Sequence, residues 1–166
     1  MHLISIDDLS AADIDTLFNL SDGFLEIASR SIKKVPTLRG RTVINVFMEP
    51  STRTQSSFEL AGKRLSADVI NIKESSSSVS KGESLKDTIL TLESYRPDII
   101  VMRHPRVGAS RMATHYTSAS VVNAGDGTGE HPTQCLLDLY SLRRVYGGMQ
   151  GLKVAIVGDI LRSRVA

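Results

Sequence analysis

Ser51, Thr52, Arg53 and Thr54 stand together in the stretch VFMEPSTRTQSSFELAGKRL (46–65), after an apolar run and before a helical pattern. The first turn of a helix carries unpaired N–H groups and the positive end of the helix dipole. Hydroxyls beside those N–H groups add donors, and a guanidinium adds a fork that matches phosphate oxygens. The turn is therefore suited to a phosphate or a similar anion; taken alone, the four letters also fit a capped helix with a solvated arginine. It is not a P-loop, because no G-x-x-x-x-G-K-[ST] occurs, so a nucleoside triphosphate is not implied. Two further turns have the same character. Arg103 stands in MRHP at the end of an apolar run, and in GDGTGEHPTQ His131 precedes Pro132, with Gln134 inside the first helical turn.

Other chemistries fit poorly. His2, His104, His115 and His131 lack metal-ligand spacing, no Cys/His cluster exists, and neither a metal nor an organic cofactor is implied. Cys135 falls on the apolar face of a helical pattern, which favours a buried structural thiol over a nucleophile. As a lone cysteine it forms no internal disulfide, so a reducing cytoplasm is expected. The net charge of +2 is too small to argue for nucleic acid or an anionic membrane. No apolar run reaches the ~20 residues of a membrane span, and the first residues hold acids where a signal peptide needs an apolar core. With 41% hydrophobic and 23% charged residues, the composition is that of a globular domain. The serine-rich run 75–84 has the composition of a flexible linker, with Lys81 before Gly82 as one cation on it.

The elements that must position these groups alternate. Five short runs, 42–47, 68–72, 98–102, 120–124 and 153–158, are nearly continuous in apolar residues, as strands covered on both faces are. Helical patterns fill the gaps. Ser10 with Asp13 starts one, with Ile14, Leu17, Phe18, Leu25 and Ala28 on a face; Phe58, Ala61 and Leu65 mark the next. Ser84 with Asp87 opens a third, with Leu85, Ile89 and Leu92 inward; Cys135, Leu139, Leu142 and Tyr146 line a fourth that Gly147 stops. The expected fold is α/β, a parallel sheet flanked by helices on both faces with right-handed crossovers. Residues 1–147 read as one domain, 148–152 as a linker, and 153–166 as the first strand and turn of a second α/β domain. In such a sheet ligands sit outside the carboxyl ends of the strands. The three turns then present Arg53, Thr54, Arg103, His131 and Gln134 to one crevice.

In order along the chain, FMEPSTRTQSSFE, SVSKGESLKDT, MRHP, NAGDGTGEHPTQ and VGDILRSRVA resemble the aspartate/ornithine carbamoyltransferase family. S-T-R-T and H-P-x-Q are shared across that family; Glu49-Pro50 and Lys81 resemble its aspartate branch. The resemblance implies transfer of the carbamoyl group of carbamoyl phosphate to L-aspartate, early in pyrimidine synthesis, by homotrimers that share active sites. Regulatory or dihydroorotase-like partner chains are compatible with it. By the same resemblance, Ser51, Thr52, Arg53 and Thr54 bind phosphate and Arg103 contacts carbamoyl phosphate. His131 and Gln134 serve the carbonyl and amide ends of the carbamoyl group, and Arg164 binds aspartate. Lys81, with Ser77 or Ser78, would enter the neighbouring subunit's site. The alternatives are a carbamoyltransferase for another amine, such as ornithine, and a non-catalytic assembly homologue. The family's second domain supplies most of the acceptor site, so these 166 residues are expected to bind the donor without turning over.

Lys81 yields a test in the longer enzyme. Lys81→Ala and His131→Ala homotrimers should each be nearly inactive. In a head-to-tail ring of mixed composition, about one interface in three pairs an intact His131 with a neighbour's intact Lys81. Subunit exchange should therefore restore part of the activity; hybrids that form and stay inactive would place Lys81 in its own chain's site.

Overall fold

The computed structural model describes residues 1–73 and 83–165. Four parallel strands, β1 (Thr42–Phe47), β2 (Asp68–Lys73), β3 (Ile99–His104) and β4 (Ser120–Asp126), form one sheet in the order β2-β1-β3-β4. Five α-helices among the described residues accompany them: α1 (Ala11–Ser29), α2 (Thr52–Arg64), α3 (Leu85–Glu93), α4 (Ala109–Ala113) and α5 (Pro132–Tyr146). The four strands expected up to residue 124 are present, with β2, β3 and β4 running one or two residues further than their apolar letters. The helix starts also follow their signals. Ser10 and Asp13 form a reciprocal capping box, Ser84 accepts from the Asp87 N–H, and Gly147 ends α5 at φ 75°.

Strand alternation sends successive side chains to opposite faces. Ile44, Val46, Ile100 and Met102 pack with Ile89 and Leu92 of α3 and Ala109 and Ala113 of α4. Val43, Phe47, Val101 and Ala124 form the opposite core, against Phe58 of α2. Phe18 of α1 tilts against Tyr140 of α5 with ring centroids 5.5 Å apart, and the Tyr140 hydroxyl donates to Asp22 over 2.7 Å. The N-terminal residues join the outer edge of β4, where the Leu3 N–H donates to the Val121 carbonyl and the Asn123 N–H to the Leu3 carbonyl, both at 2.8 Å.

Three expectations need correction. Residues 153–158 form no strand; Val154, Ile156 and Val157 are 60%, 52% and 95% exposed. An apolar run becomes a strand only against a hydrogen-bonding neighbour, and none of the described residues provides one. Leu17, Leu25 and Tyr146, expected inward, are exposed because no described layer covers those helix faces. β2 is an edge strand and not a fully covered one, and its Ile70 is exposed.

Between β1 and β3 the chain reverses its direction of winding: β2 lies to one side of β1, β3 and β4 to the other. That reversal opens a crevice at the carboxyl ends of β1 and β3, the usual ligand position in open α/β sheets. The same centre carries the stability. Ile100 lies in the middle of β3 and is fully buried, so Ile100→Ala should cost about 2–5 kcal/mol in urea unfolding. Val165→Ala, at an exposed residue outside the sheet, should stay within about 0.5 kcal/mol. Equal losses at the two positions would contradict this account of the core.

Candidate active site

Of the four long helices, two have serine-capped starts and two do not. Ser51 precedes α2 and His131 precedes α5, and neither side chain caps its helix. The first intrahelical bond of α2 runs from the Gln55 N–H to the Ser51 carbonyl at 3.0 Å, so the N–H groups of Thr52, Arg53 and Thr54 have no partner within the helix. Both uncapped starts open on one cavity of about 600 Å³ at the carboxyl edge of the sheet, lined in part by Ser51, Arg53, Thr54, Arg103, His131, Gln134 and Arg164. Among the described residues lining it, three are arginines and none is acidic. The cavity is thus built for an anion.

Arg103 is the buried one of the three arginines, 6% exposed. It extends the Ile99–Val101 side of β3 towards the α2 face. Its Nη2 donates to Glu49 Oε1 at 3.0 Å and its Nη1 to the Ala124 carbonyl at 3.2 Å. The β3–β4 register slips here, two residues of β3 against three of β4 (Met102↔Asn123, then His104↔Asp126), which brings the Ala124 carbonyl to the guanidinium. Gly125 follows at φ 113°, and a Cβ there would lie 2.9 Å from Arg103 Nη1 and 3.2 Å from Arg164 Nη1. Only glycine accepts both that backbone angle and that approach. Glu49 holds the second arginine too, with Arg164 Nη1 donating to its Oε2 at 3.4 Å. The Arg164 carbonyl in turn accepts the His131 N–H at 3.1 Å.

The His131 ring is buried, and its pKa is lowered to about 4, first by burial and then by the positive charges of Arg103 and Arg164. Its Nδ1 lies 3.2 Å from the Thr133 hydroxyl. The ring is therefore neutral near pH 7, able to polarise a carbonyl by hydrogen bonding. Cys135 is half-buried and its thiol is pushed up by burial and then by Asp138 and Glu130, in keeping with a structural thiol.

The expected site residues do not all meet. Thr52 faces a smaller pocket of about 260 Å³ with Glu49, Pro50, Ser51, Gln55 and Lys73. Lys81, Ser77 and Ser78 lie outside the described residues. Sequence reasoning missed Glu49 as the carboxylate that pairs both arginines, although an acid just past a strand end beside expected arginines is a usable signal. It also missed Gly125, whose role depends on a through-space approach that no spacing encodes.

Residues 1–144 match the family model for the aspartate/ornithine carbamoyltransferase carbamoyl-phosphate-binding domain. A protein of Sorangium cellulosum named aspartate carbamoyltransferase catalytic subunit is 56% identical over 165 residues, covering 99% of this chain and 51% of that protein. A relative of the same name from Mesorhizobium japonicum is 58% identical, again over 99% and 51%. The crystal structure of aspartate transcarbamoylase from Trypanosoma cruzi with carbamoyl phosphate and aspartate superposes with a TM-score of 0.93 at 40% identity, covering 99% of this chain and 51% of that one. The chain thus spans about half the length of these relatives.

The lowered His131 pKa sets a pH window. Between the ordinary value near 6.5 and about 4, the unfolded chain binds a proton that the folded chain refuses. This group's contribution to stability is therefore complete above pH 6.5 and declines as the pH falls to 4. Proton NMR of the imidazole should give a midpoint near 4, and Arg103→Met should raise it by removing one positive neighbour. An unshifted midpoint in the native chain would mean that the ring is solvated.

Proposed function

This chain belongs to the aspartate/ornithine carbamoyltransferase family, and from that premise we propose that it is the carbamoyl-phosphate-binding part of an aspartate carbamoyltransferase. One observation carries the reading: the uncapped start of α2, with Ser51, Arg53 and Thr54, faces Arg103, His131 and Gln134 across a single cavity that has no acidic residue among its described lining. The relatives' names favour aspartate over ornithine as acceptor. Residues 1–147 are read as the donor domain, 148–152 as a linker, and 153–166 as the entry to an acceptor domain.

In this reading the phosphate rests on the α2 N–H groups, the Ser51 hydroxyl and Arg53, while the Thr52 side chain stays in its separate pocket. The amine of L-aspartate attacks the carbamoyl carbon. A C–N bond forms, negative charge develops on the carbonyl oxygen, and the C–O bond to phosphate then breaks, its electron pair leaving with the phosphate, which takes up the proton that the amine gives up. Thr54, Arg103 and the neutral His131 ring donate to the developing oxyanion, the type of contact worth about 100- to 1,000-fold in rate per donor. The Thr133 hydroxyl can donate to His131 Nδ1, which leaves the ring hydrogen on Nε2 for the substrate. Gln134 meets the carbamoyl amide. Arg164, tethered by Glu49, binds aspartate at the cavity's rim. Holding donor and acceptor together adds the advantage of orientation. The homotrimer, with Lys81 reaching a neighbouring site, rests on the likeness of the serine-rich run 75–84; the cytoplasmic setting rests on the lone cysteine. No helix among the described residues is long and apolar enough to cross a membrane.

Calorimetric titration of the 166-residue chain with carbamoyl phosphate and with inorganic phosphate tests the reading. Both should bind. Arg53 is exposed, so Arg53→Ala should leave the fold intact while weakening binding by about 1.5–3 kcal/mol for each charged hydrogen bond lost. Absence of binding by either ligand, or an Arg53→Ala chain that binds as tightly as the native one, would sink it.

A further inference from the structure

Gln134 and Asp138 stand one turn apart on α5, and Gln134 Nε2 donates to Asp138 Oδ1 over 3.0 Å. Gln134 lines the cavity; Asp138 is exposed and stands outside the lining. A primary amide has two unlike ends, an NH₂ that donates and an oxygen that accepts, whereas a carboxylate only accepts. Asp138 can therefore bond only the NH₂ end, which leaves Oε1 as the end free for the cavity. We propose that Asp138 is a positioning residue: it orients the Gln134 amide so that its carbonyl oxygen selects an acyl phosphate bearing N–H donors. The inference rests on the carbamoyl-phosphate reading of the cavity.

The rest of the lining makes this orientation matter. Arg53, Arg103 and Arg164 can only donate, and the hydroxyls of Ser51 and Thr54 are engaged by phosphate or carbonyl oxygen in the proposed pose. Those groups treat carbamoyl phosphate and acetyl phosphate alike, since the two ligands differ only in NH₂ against CH₃ and are of similar size. A site that hydrogen-bonds an NH group rejects the analogue lacking it because its own polar group is left unpaired. Gln134 Oε1 is that group. A Gln–Asp pair at this spacing also steadies a helix slightly, but that role would leave ligand discrimination unchanged.

The test is calorimetry on the 166-residue chain with inorganic phosphate, acetyl phosphate and carbamoyl phosphate. The native chain should prefer carbamoyl over acetyl phosphate. Asp138→Leu should cut that ratio about two- to tenfold, the scale of one neutral hydrogen bond, with phosphate affinity unchanged. Asp138→Glu, which keeps an accepting carboxylate, should retain the ratio. If circular dichroism shows Asp138→Leu to be misfolded, Asp138→Asn carries the test, because its amide can meet either end of Gln134 and should also lower the ratio. A ratio near one in the native chain, or one that survives both Leu and Asn, overturns the role of Asp138. If none of the three ligands binds the native chain, the carbamoyl-phosphate reading fails first and this inference with it.

Discussion

A guanidinium that is 6% exposed must find its partners inside the protein, and Arg103 finds one carboxylate oxygen and one main-chain carbonyl. A buried charge left unpaired costs several kcal/mol, so the surroundings are shaped to it. Glu49 follows β1, the neighbour of β3, and therefore reaches the end of β3. The slipped register near Ala124 supplies the carbonyl, and Gly125 leaves the space. The second oxygen of Glu49 holds Arg164, whose carbonyl fastens the start of α5. His131 then sits beside two positive charges in a buried setting and stays neutral. Arg103 Nε is buried with no hydrogen-bond partner among the described residues, so the network around it has a donor to spare.

A parallel sheet sends every carboxyl end to one edge, and the winding reversal between β1 and β3 opens that edge. The helices that leave it divide by their starts. α3, whose Leu85, Ile89 and Leu92 support the core on the opposite face, is closed by a serine cap, as is α1. The starts of α2 and α5 both face the cavity; α2 keeps its first N–H groups open, while α5 begins on Pro132, which has no N–H, and brings His131 and Gln134 instead. An omitted cap is a small stability loss, on the order of 1 kcal/mol, in exchange for donors that an anion can use. Stability and anion recognition thus occupy different helices of one sheet.

The sequence carried the local features well because they depend on near neighbours. Apolar runs marked four strands, Ser10–Asp13 and Ser84–Asp87 marked helix starts, and Gly147 marked a stop. Ser51, Arg53, Thr54, Arg103, His131 and Gln134 were legible as the lining of one cavity because each stands at or just past the carboxyl end of a strand in a parallel sheet. Residues 153–158 misled for the opposite reason: their letters suit a strand, but a strand is a pairing and none of the described residues pairs with them. Leu17, Leu25 and Tyr146 misled likewise, since periodicity reports which residues share a face and not whether anything covers it.

What the sequence determined by itself was the kind of fold, the order of its elements and the chemical types delivered to each strand end, all set by short-range preference and periodicity. What only the tertiary structure decided was which groups touch. Glu49 pairs with two arginines that are 54 and 115 residues away. Gly125 is needed because two guanidinium groups approach it, and His131 is neutral because burial and those same groups surround it. Thr52 turns to a separate pocket although its neighbours line the cavity. Charge pairing and desolvation act through space over a few ångströms, and the separations along the chain that make them possible exist only once the sheet has brought its strand ends together.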